Sequence, residues 1–206
     1  MRVNATGYIL VGGASSRFGR DKALVELGSS PMCVRMSRLL EEVFVPEVWL
    51  VGDPAKYGNL GLRCIPDSWP GEGPLGGILT ALRHAETTQK ADYNLIVGCD
   101  MPFLTKDWLV ELLSRAFRSE ARVMLAESQH GLEPLCAVWH TGALTTVEGQ
   151  FKQGVRKVTE AVKCLNREIL DESVWKRFDS AGRLFWNMNT AADFEEARRV
   201  WETERA

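Results

Sequence analysis

Apolar and polar residues alternate along the chain in blocks that read in turn as strands and helices. Residues 8–11 (Tyr-Ile-Leu-Val) form a short apolar run closed by Gly12-Gly13, which predicts a buried strand. A polar, glycine-containing loop follows to about Lys22. Pro31 then opens a pattern with Val34, Leu39, Leu40 and Val43 at helical spacing. Residues 48–51 predict a second strand closed by Gly52, and residues 62–65 a third closed by Pro66-Asp67. Composition makes residues 71–77 (Gly-Glu-Gly-Pro-Leu-Gly-Gly) a loop, with a helix from Ile78 to Ala85. Residues 93–97 are the next strand, ending in Gly98-Cys99-Asp100. An amphipathic helix is expected over 108–117 and strands over 122–126 and 135–139. From Thr141 the pattern predicts helices with a turn near Gly154. Thr190 and Asp193 resemble a capping box in which Asp replaces the usual Glu or Gln. The helix they open carries Phe194, Ala197 and Trp201 on one face.

Strands alternating with helices imply an α/β fold whose mostly parallel sheet is covered on both faces. Ligands of such sheets bind beyond the carboxyl ends of the strands. Gly12-Gly13, Asp67 and Asp100 each follow a strand directly, so all are expected to face one crevice. No repeat, low-complexity stretch or Pro/Ser linker interrupts the pattern, and residues 1–206 are expected to form a single domain.

Composition narrows the function classes. Of the 206 residues 45% are hydrophobic and 25% charged, the proportions of an ordinary globular protein, and the net charge is −2. That balance argues against a nucleic-acid scaffold held by counterion release, while leaving room for a local basic pocket. No apolar run reaches about 18 residues, so no membrane span is expected, and the short, mixed residues 1–7 do not resemble a signal peptide. The five cysteines (Cys33, Cys64, Cys99, Cys136, Cys164) are odd in number and form no CxxC, as expected of free thiols in a reducing cytosol. His84, His130 and His140 show no metal-binding spacing. The seven tryptophans read as core by pattern, except Trp69, which lies between Asp67 and the glycine-rich stretch and either lines a pocket or packs under that stretch.

The most informative segment is Leu10-Val11-Gly12-Gly13-Ala14-Ser15-Ser16-Arg17-Phe18-Gly19-Arg20-Asp21-Lys22. Glycines after a strand let backbone approach a ligand, and successive amides can form an anion nest. Arg17 offers a planar fork to phosphate oxygens and Lys22 a mobile point charge. The physical reading is a triphosphate cradle; the bland alternative is a basic, solvated loop. The segment is not a Walker A loop, because Lys22 follows Asp21 and precedes Ala23, and it is not GxGxxG.

The pattern L-x-G-G-x-S-x-R-x-G-x-x-K resembles the signature of nucleotidyltransferases with a three-layer, Rossmann-like, glycosyltransferase-A-type fold. Three further segments resemble the molybdenum cofactor guanylyltransferase family: Glu72-Gly73-Pro74-Leu75-Gly76-Gly77, Cys99-Asp100-Met101-Pro102-Phe103 and Asn187-Met188-Asn189-Thr190. The matches run in family order from residue 10 to residue 190. Two positions depart from the family pattern: Val11 stands where Ala is usual, and Ala191 where Pro commonly follows.

The resemblance implies an enzyme that transfers GMP from GTP to the terminal phosphate of molybdopterin, or of molybdenum-molybdopterin, in the cytoplasm, with Mg2+ as cofactor. It implies a nucleotide-binding half over about residues 1–105 and an acceptor-binding half over about 106–206. By position, the Leu10-Val11-Gly12 backbone would hold guanine, and Gly13, Lys22, Asp67 and Gly76 would contact GTP. Asp100 would bind the metal, and Arg17 and Lys22 would stabilise the leaving pyrophosphate. Asp67 and Asp100 have an alternative as turn caps. At the acceptor, Arg156 and Lys157 would hold phosphate, or form a solvated helix start, and Asn187 and Asn189 would hold the pterin. Molybdenum-enzyme maturation proteins are further expected partners. Two rival readings are a cytidylyl- or sugar-phosphate nucleotidyltransferase, and a GTP-binding chaperone of molybdenum enzymes without turnover.

Overall fold

The computed structural model describes residues 4–12, 19–43, 45, 47–88 and 91–204. In chain order the strands are β1 (Ala5–Leu10), β2 (Glu26–Leu27), β3 (Ser30–Pro31), β4 (Glu47–Gly52), β5 (Cys64–Pro66), β6 (Tyr93–Gly98), β7 (Val123–Ser128), β8 (Gly131–His140) and β9 (Arg167–Leu170). The α-helices are α1 (Met32–Glu42), α2 (Pro54–Tyr57), α3 (Pro74–Thr88), α4 (Lys106–Ala116), α5 (Leu144–Lys152), α6 (Val158–Lys163), α7 (Glu172–Trp175) and α8 (Ala191–Thr203).

Seven strands form one sheet in the order β5-β4-β1-β6-β8-β7-β9. All pairings are parallel except those of β8, which runs against both β6 and β7. The inner strands read as near-continuous apolar runs because both faces are covered. Ile9 of β1 packs on one face with Met36 and Leu40 of α1 and Trp108 and Leu112 of α4. Tyr8 packs on the other face with Leu75, Ile78 and Leu82 of α3 and Val147 and Phe151 of α5. The result is the expected three-layer α/β architecture. A smaller apolar cluster joins the β2–β3 hairpin to α8 through Leu27, Met32, Phe194 and Ala197.

The chain leaves β1 towards β4 and β5 and then crosses back to place β6 on the other side of β1. The order of strands therefore reverses between β1 and β6, the switch point where open α/β sheets leave a crevice. Gly12, Asp67 and Asp100 stand beyond the carboxyl ends of β1, β5 and β6, as their spacing predicts. Gly13 and Arg17 lie outside the described residues.

Several elements differ from the sequence pattern. Residues 74–77 are not loop: α3 begins at Pro74, and its glycines serve close packing. A Cβ on Gly77 would stand 3.2 Å from Leu10 Cδ2, and one on Gly76 would stand 3.0 Å from Trp69 Cβ. The third strand lies at Cys64–Pro66 rather than 62–65. Strand β9 and the β2–β3 hairpin carry no apolar run long enough to be read from sequence. The box at α8 is complete, Thr190 Oγ1 accepting from Asp193 N and Asp193 Oδ2 accepting from Thr190 N. It fixes the helix start where Ala191 replaces proline. Of the tryptophans, Trp108, Trp139 and Trp175 are core, whereas Trp49, Trp69, Trp186 and Trp201 are only half-buried.

Candidate functional site

Three side chains from distant parts of the chain meet at the switch point. Lys22, in the short 3-10 turn Lys22–Leu24 after the glycine-rich segment, extends Nζ to within 3.5 Å of Asp100 Oδ2. The same Nζ donates to Asn189 Oδ1 at 3.1 Å. Asp100 sits in the turn after β6, and its backbone carbonyl accepts from Met188 N at 2.9 Å. The Asn187–Thr190 segment is thus docked onto the turn that carries the carboxylate. Asp100 and Lys22 keep 21% and 17% of their side-chain surface exposed, so both face the crevice rather than the core. Gly98 makes room for this arrangement: a Cβ there would stand 2.8 Å from Asp100 Oδ1.

The loop that brings Lys22 into place is braced from beneath. Asp21 caps the 3-10 turn by accepting from Ala23 N at 2.9 Å, and it is also held by Lys56 and by Tyr57 Oη at 2.7 Å. Burial pushes the Asp21 carboxyl up, but its hydrogen bonds to Lys56, Tyr57 and Ala23 N outweigh that and hold it below the usual carboxylate range. Tyr57 Oη also lies 2.9 Å from Val11 O, in the interior. Sequence spacing gave no signal for Tyr57, which sits on the four-residue helix α2.

Val11 is buried, and its N–H donates to Val51 O at 3.1 Å. The strand-end backbone open to the crevice therefore begins at Gly12, which is exposed. Leu10 is half-buried against Gly77. Asp67 is held in its turn: Oδ1 accepts from Trp69 N and from Thr80 Oγ1, each at 3.0 Å. Thr80 Oγ1 also lies 3.1 Å from Gly76 O, and its contact with Asp67 ties the end of β5 to the first turns of α3. The turn-cap reading of Asp67 is thus present in the structure, with its second oxygen still available to a ligand.

The predicted acceptor residues separate into two places. Asn187 and Asn189 line a cavity of about 780 Å³ with residues of the β7–β8 turn and of the segment after α7. Arg156 does not line it. Its guanidinium pairs with Glu72 of the glycine-rich loop, lies 3.9 Å from the Phe151 ring centroid and donates to Phe151 O at 2.8 Å. Lys157 is an exposed residue at the start of α6, with Glu160 at 3.8 Å. Trp69 packs edge-on against Phe151 at 5.5 Å, beneath the Arg83 guanidinium at 4.5 Å.

One further carboxylate lies near the crevice. Glu133, on β8, is only 7% exposed and accepts from Ser128 Oγ at 2.6 Å. Burial pushes its carboxyl above the usual range; the Ser128 bond and His130 oppose this and the charge of Asp100 adds to it.

A family model described as a MobA-like NTP transferase domain matches residues 7–167. The chain belongs to that family. The MobA-like NTP transferases include relatives that match almost end to end. One from Pelotomaculum thermopropionicum, named "probable molybdenum cofactor guanylyltransferase", is 34% identical, with 98% of this chain and 96% of the relative covered. One of the same name from Deinococcus radiodurans is 33% identical, over 93% and 92%. Among solved structures, molybdopterin-guanine dinucleotide biosynthesis protein A from Archaeoglobus fulgidus superposes with a TM-score of 0.80 at 25% identity, covering 96% of this chain and 99% of that one. As a MobA-like NTP transferase, the chain is a nucleotidyltransferase of the three-layer α/β class. Among the described residues no helix is long and apolar enough to cross a membrane.

Proposed function

We propose that this chain transfers the GMP moiety of GTP to the terminal phosphate of molybdopterin, or of its molybdenum-bearing form, releasing pyrophosphate. The observation that carries the reading is the meeting of Lys22, Asp100 and Asn189 over the β1–β6 switch point. It sits in a chain whose full-length relatives are named for that chemistry.

The nucleophile is a phosphate oxygen, already ionised at neutral pH, so the site needs no general base. A bond forms from that oxygen to the α-phosphorus of GTP, and the bond from the α-phosphorus to the departing pyrophosphate breaks. Both reactants are anions, so the chain must neutralise charge and align the two groups. Lys22 supplies a cation where the triphosphate meets the acceptor, and Asn189 holds Nζ in place through its Oδ1. Arg17, by its position in the sequence motif, takes the same role on pyrophosphate. Leu10, Val11, Gly12, Gly76 and Asp67 flank the base and ribose, with Gly12 rather than Val11 supplying the open backbone; Gly13 is assigned to GTP by its position in the sequence motif alone. Asn187 and Asn189 face the acceptor.

Asp100 fits a magnesium ion. It is a partly exposed oxygen donor just past a strand end, its contact with Lys22 is a loose 3.5 Å, and the missing Cβ of Gly98 leaves room beside its Oδ1. Mg2+ prefers one or two carboxylates completed by phosphate oxygens and water. Asp100 would hold it, and when bound it would neutralise charge on the phosphate oxygens. The free thiols and the absence of a membrane-spanning helix among the described residues support a cytoplasmic setting, where maturation proteins of molybdenum enzymes would receive the product.

Thermal unfolding with Mg2+ and GTP, CTP or ATP, followed by pyrophosphate release on adding molybdopterin, tests the reading. A nucleotide at about 100 times its dissociation constant stabilises by about 2.7 kcal/mol. The expected result is a selective response to GTP and pyrophosphate release that depends on molybdopterin. Equal responses to all three nucleotides would overturn the guanine assignment, and GTP binding without pyrophosphate would favour a regulator.

A further inference from the structure

The 780 Å³ cavity beside Asn187 and Asn189 is within the size range of small-molecule sites. It opens next to the reacting groups, because Asn189, which lines it, also holds Lys22. Two of its lining residues have chemistry that no step described so far uses.

The first is Trp186. It is half-buried, lines the cavity, and directly precedes Asn187. Phe103, from the loop after Asp100, backs the indole with ring centroids 5.5 Å apart and planes 31° apart. The Arg183 guanidinium lies over Phe103 at 5.8 Å and is itself held by Glu204 at 2.6 Å. The indole is therefore held by a tilted ring contact with Phe103 while it lines the cavity, a placement that suits contact with a planar ring.

The second is Asp179. Its Oδ1 accepts from Arg183 N at 2.7 Å, which fixes the turn between α7 and Arg183. Among the described residues no cation pairs with Asp179, and Oδ2 has no hydrogen-bond partner. The other charged residues lining the cavity outside the β7–β8 turn are already paired, Lys176 with Glu172 at 2.8 Å and Arg183 with Glu204. Asp179 is thus a cavity-lining carboxylate with an unused acceptor, suited to a ligand edge that offers two adjacent N–H donors.

A pterin presents that combination. Its pyrimidinone ring is planar, and its 2-amino and N3–H groups form a donor pair on one edge. Its phosphate-bearing end would have to reach Asn189, Lys22 and Asp100. We infer that this cavity seats the pterin of the acceptor, with Trp186 stacking on the pyrimidinone ring and Asp179 accepting from its 2-amino and N3–H groups. The inference rests on the guanylyltransferase reading above and adds the two residues that recognise the acceptor. Arg156 and Lys157, outside the cavity, have no part in this recognition.

The test compares Trp186→Ala, Trp186→Phe and Asp179→Asn with the wild type in two measurements. The first is the KM for molybdopterin and for GTP from pyrophosphate release. The second is equilibrium binding of 6-carboxypterin, followed by quenching of its own fluorescence without GTP. Loss of one aromatic stacking partner weakens binding roughly tenfold. Trp186→Ala and Asp179→Asn should each raise the molybdopterin KM and the 6-carboxypterin Kd by about that factor, with the GTP KM unchanged, and Trp186→Phe should recover most of the loss. Asn at 179 keeps a carbonyl for Arg183 N, so the turn survives, and an unchanged GTP KM verifies that each variant is folded. If wild type turns over molybdopterin while the Ala and Asn variants keep both pterin parameters within twofold, the seat is wrong. If wild type releases no pyrophosphate with molybdopterin, the guanylyltransferase reading fails instead, and the 6-carboxypterin titration then decides the seat by itself.

Discussion

Met188 N–H donates to the backbone carbonyl of Asp100 at 2.9 Å, joining the last segment before α8 to the turn that ends β6. The neighbouring residue of that segment, Asn189, accepts from Lys22, which arrives from the loop after β1. Asp100 is thereby fixed by backbone, while its carboxylate stays open to the crevice.

Because the backbone does the fixing, the carboxylate can be removed without loss of fold. Asp100→Ala should lower turnover by on the order of a hundredfold or more, the scale for loss of a preorganised electrostatic group. The thermal midpoint should stay within a few degrees, since the Lys22 pair is partly exposed and contributes about 1 kcal/mol or less. Pyrophosphate release and a thermal melt on the same sample measure both. Near-wild-type turnover would remove Asp100 from the chemistry.

Two glycines at the ends of β6 and β4, the strands on either side of β1, should fail in different ways. A Cβ at Gly98 would clash with the tip of Asp100, 2.8 Å from Oδ1, and would make ordinary contact with Leu135 Cβ at 3.7 Å. Gly98→Ala should therefore displace the carboxylate, lowering turnover and raising the Mg2+ concentration needed for half-maximal rate, with little change in stability. A Cβ at Gly52 meets Val11 Cγ2 at 2.7 Å, Tyr57 Cε2 at 2.9 Å and the Val11 carbonyl at 3.0 Å. Those neighbours are core, so Gly52→Ala should cost about 1–3 kcal/mol. Denaturant midpoints and Mg2+ titrations separate the two effects; equal destabilisation by both substitutions would contradict the packing described.

The sheet was readable where both its faces are covered. β1, β4 and β6 are apolar runs closed by glycine and β5 is a short run closed by Pro66-Asp67, and those strand ends are enough to put Gly12, Asp67 and Asp100 on one edge. The first turn of α3 was not readable, because Gly-Pro-Leu-Gly-Gly has the composition of a loop and becomes helix only through close contact with Leu10 and Trp69. Edge strand β9, four residues reading Arg-Glu-Ile-Leu, has too short a pattern to stand out. At the site, the strand-end residues were accessible to reasoning from order alone. The contact of Asn189 with Lys22 was not, because it depends on how α8 folds back over the β2–β3 hairpin. Tyr57 and Glu133 were missed for a similar reason: each acts by a tertiary contact that no local spacing announces.

Tyr57 links the strand end to the basic loop, its hydroxyl lying between Val11 O and Asp21 Oδ2. The phenol carries one proton between these two acceptors, and Tyr57→Phe removes it from both, at a cost of about 1–3 kcal/mol. Asp21 also makes the fold sensitive to acid. Its carboxyl titrates below its unfolded value, so its stabilising contribution is present above about pH 4 and is lost as pH falls through the lower folded value. Asp21→Asn should therefore be less stable than wild type near neutrality, with the gap closing in acid. A gap that stayed constant from pH 7 to pH 2 would show that the charge of Asp21 contributes nothing.

Glu133 has the opposite sign. Burial lifts its carboxyl above its unfolded value, with Asp100 adding repulsion against the opposing Ser128 hydrogen bond and His130. The native state then keeps a proton that the unfolded state has released. Its contribution to stability is complete below about pH 4.5 and declines as pH rises through the raised folded value. Gln at this position keeps an acceptor for Ser128 and carries no charge towards Asp100. Glu133→Gln should match wild type in acid and become progressively more stable than wild type as pH rises through that window, as read from denaturant midpoints at a series of pH values. If the variant were less stable than wild type at neutral pH, the carboxylate would have to be held there by a favourable partner, and the described opposition between Glu133 and Asp100 would be wrong.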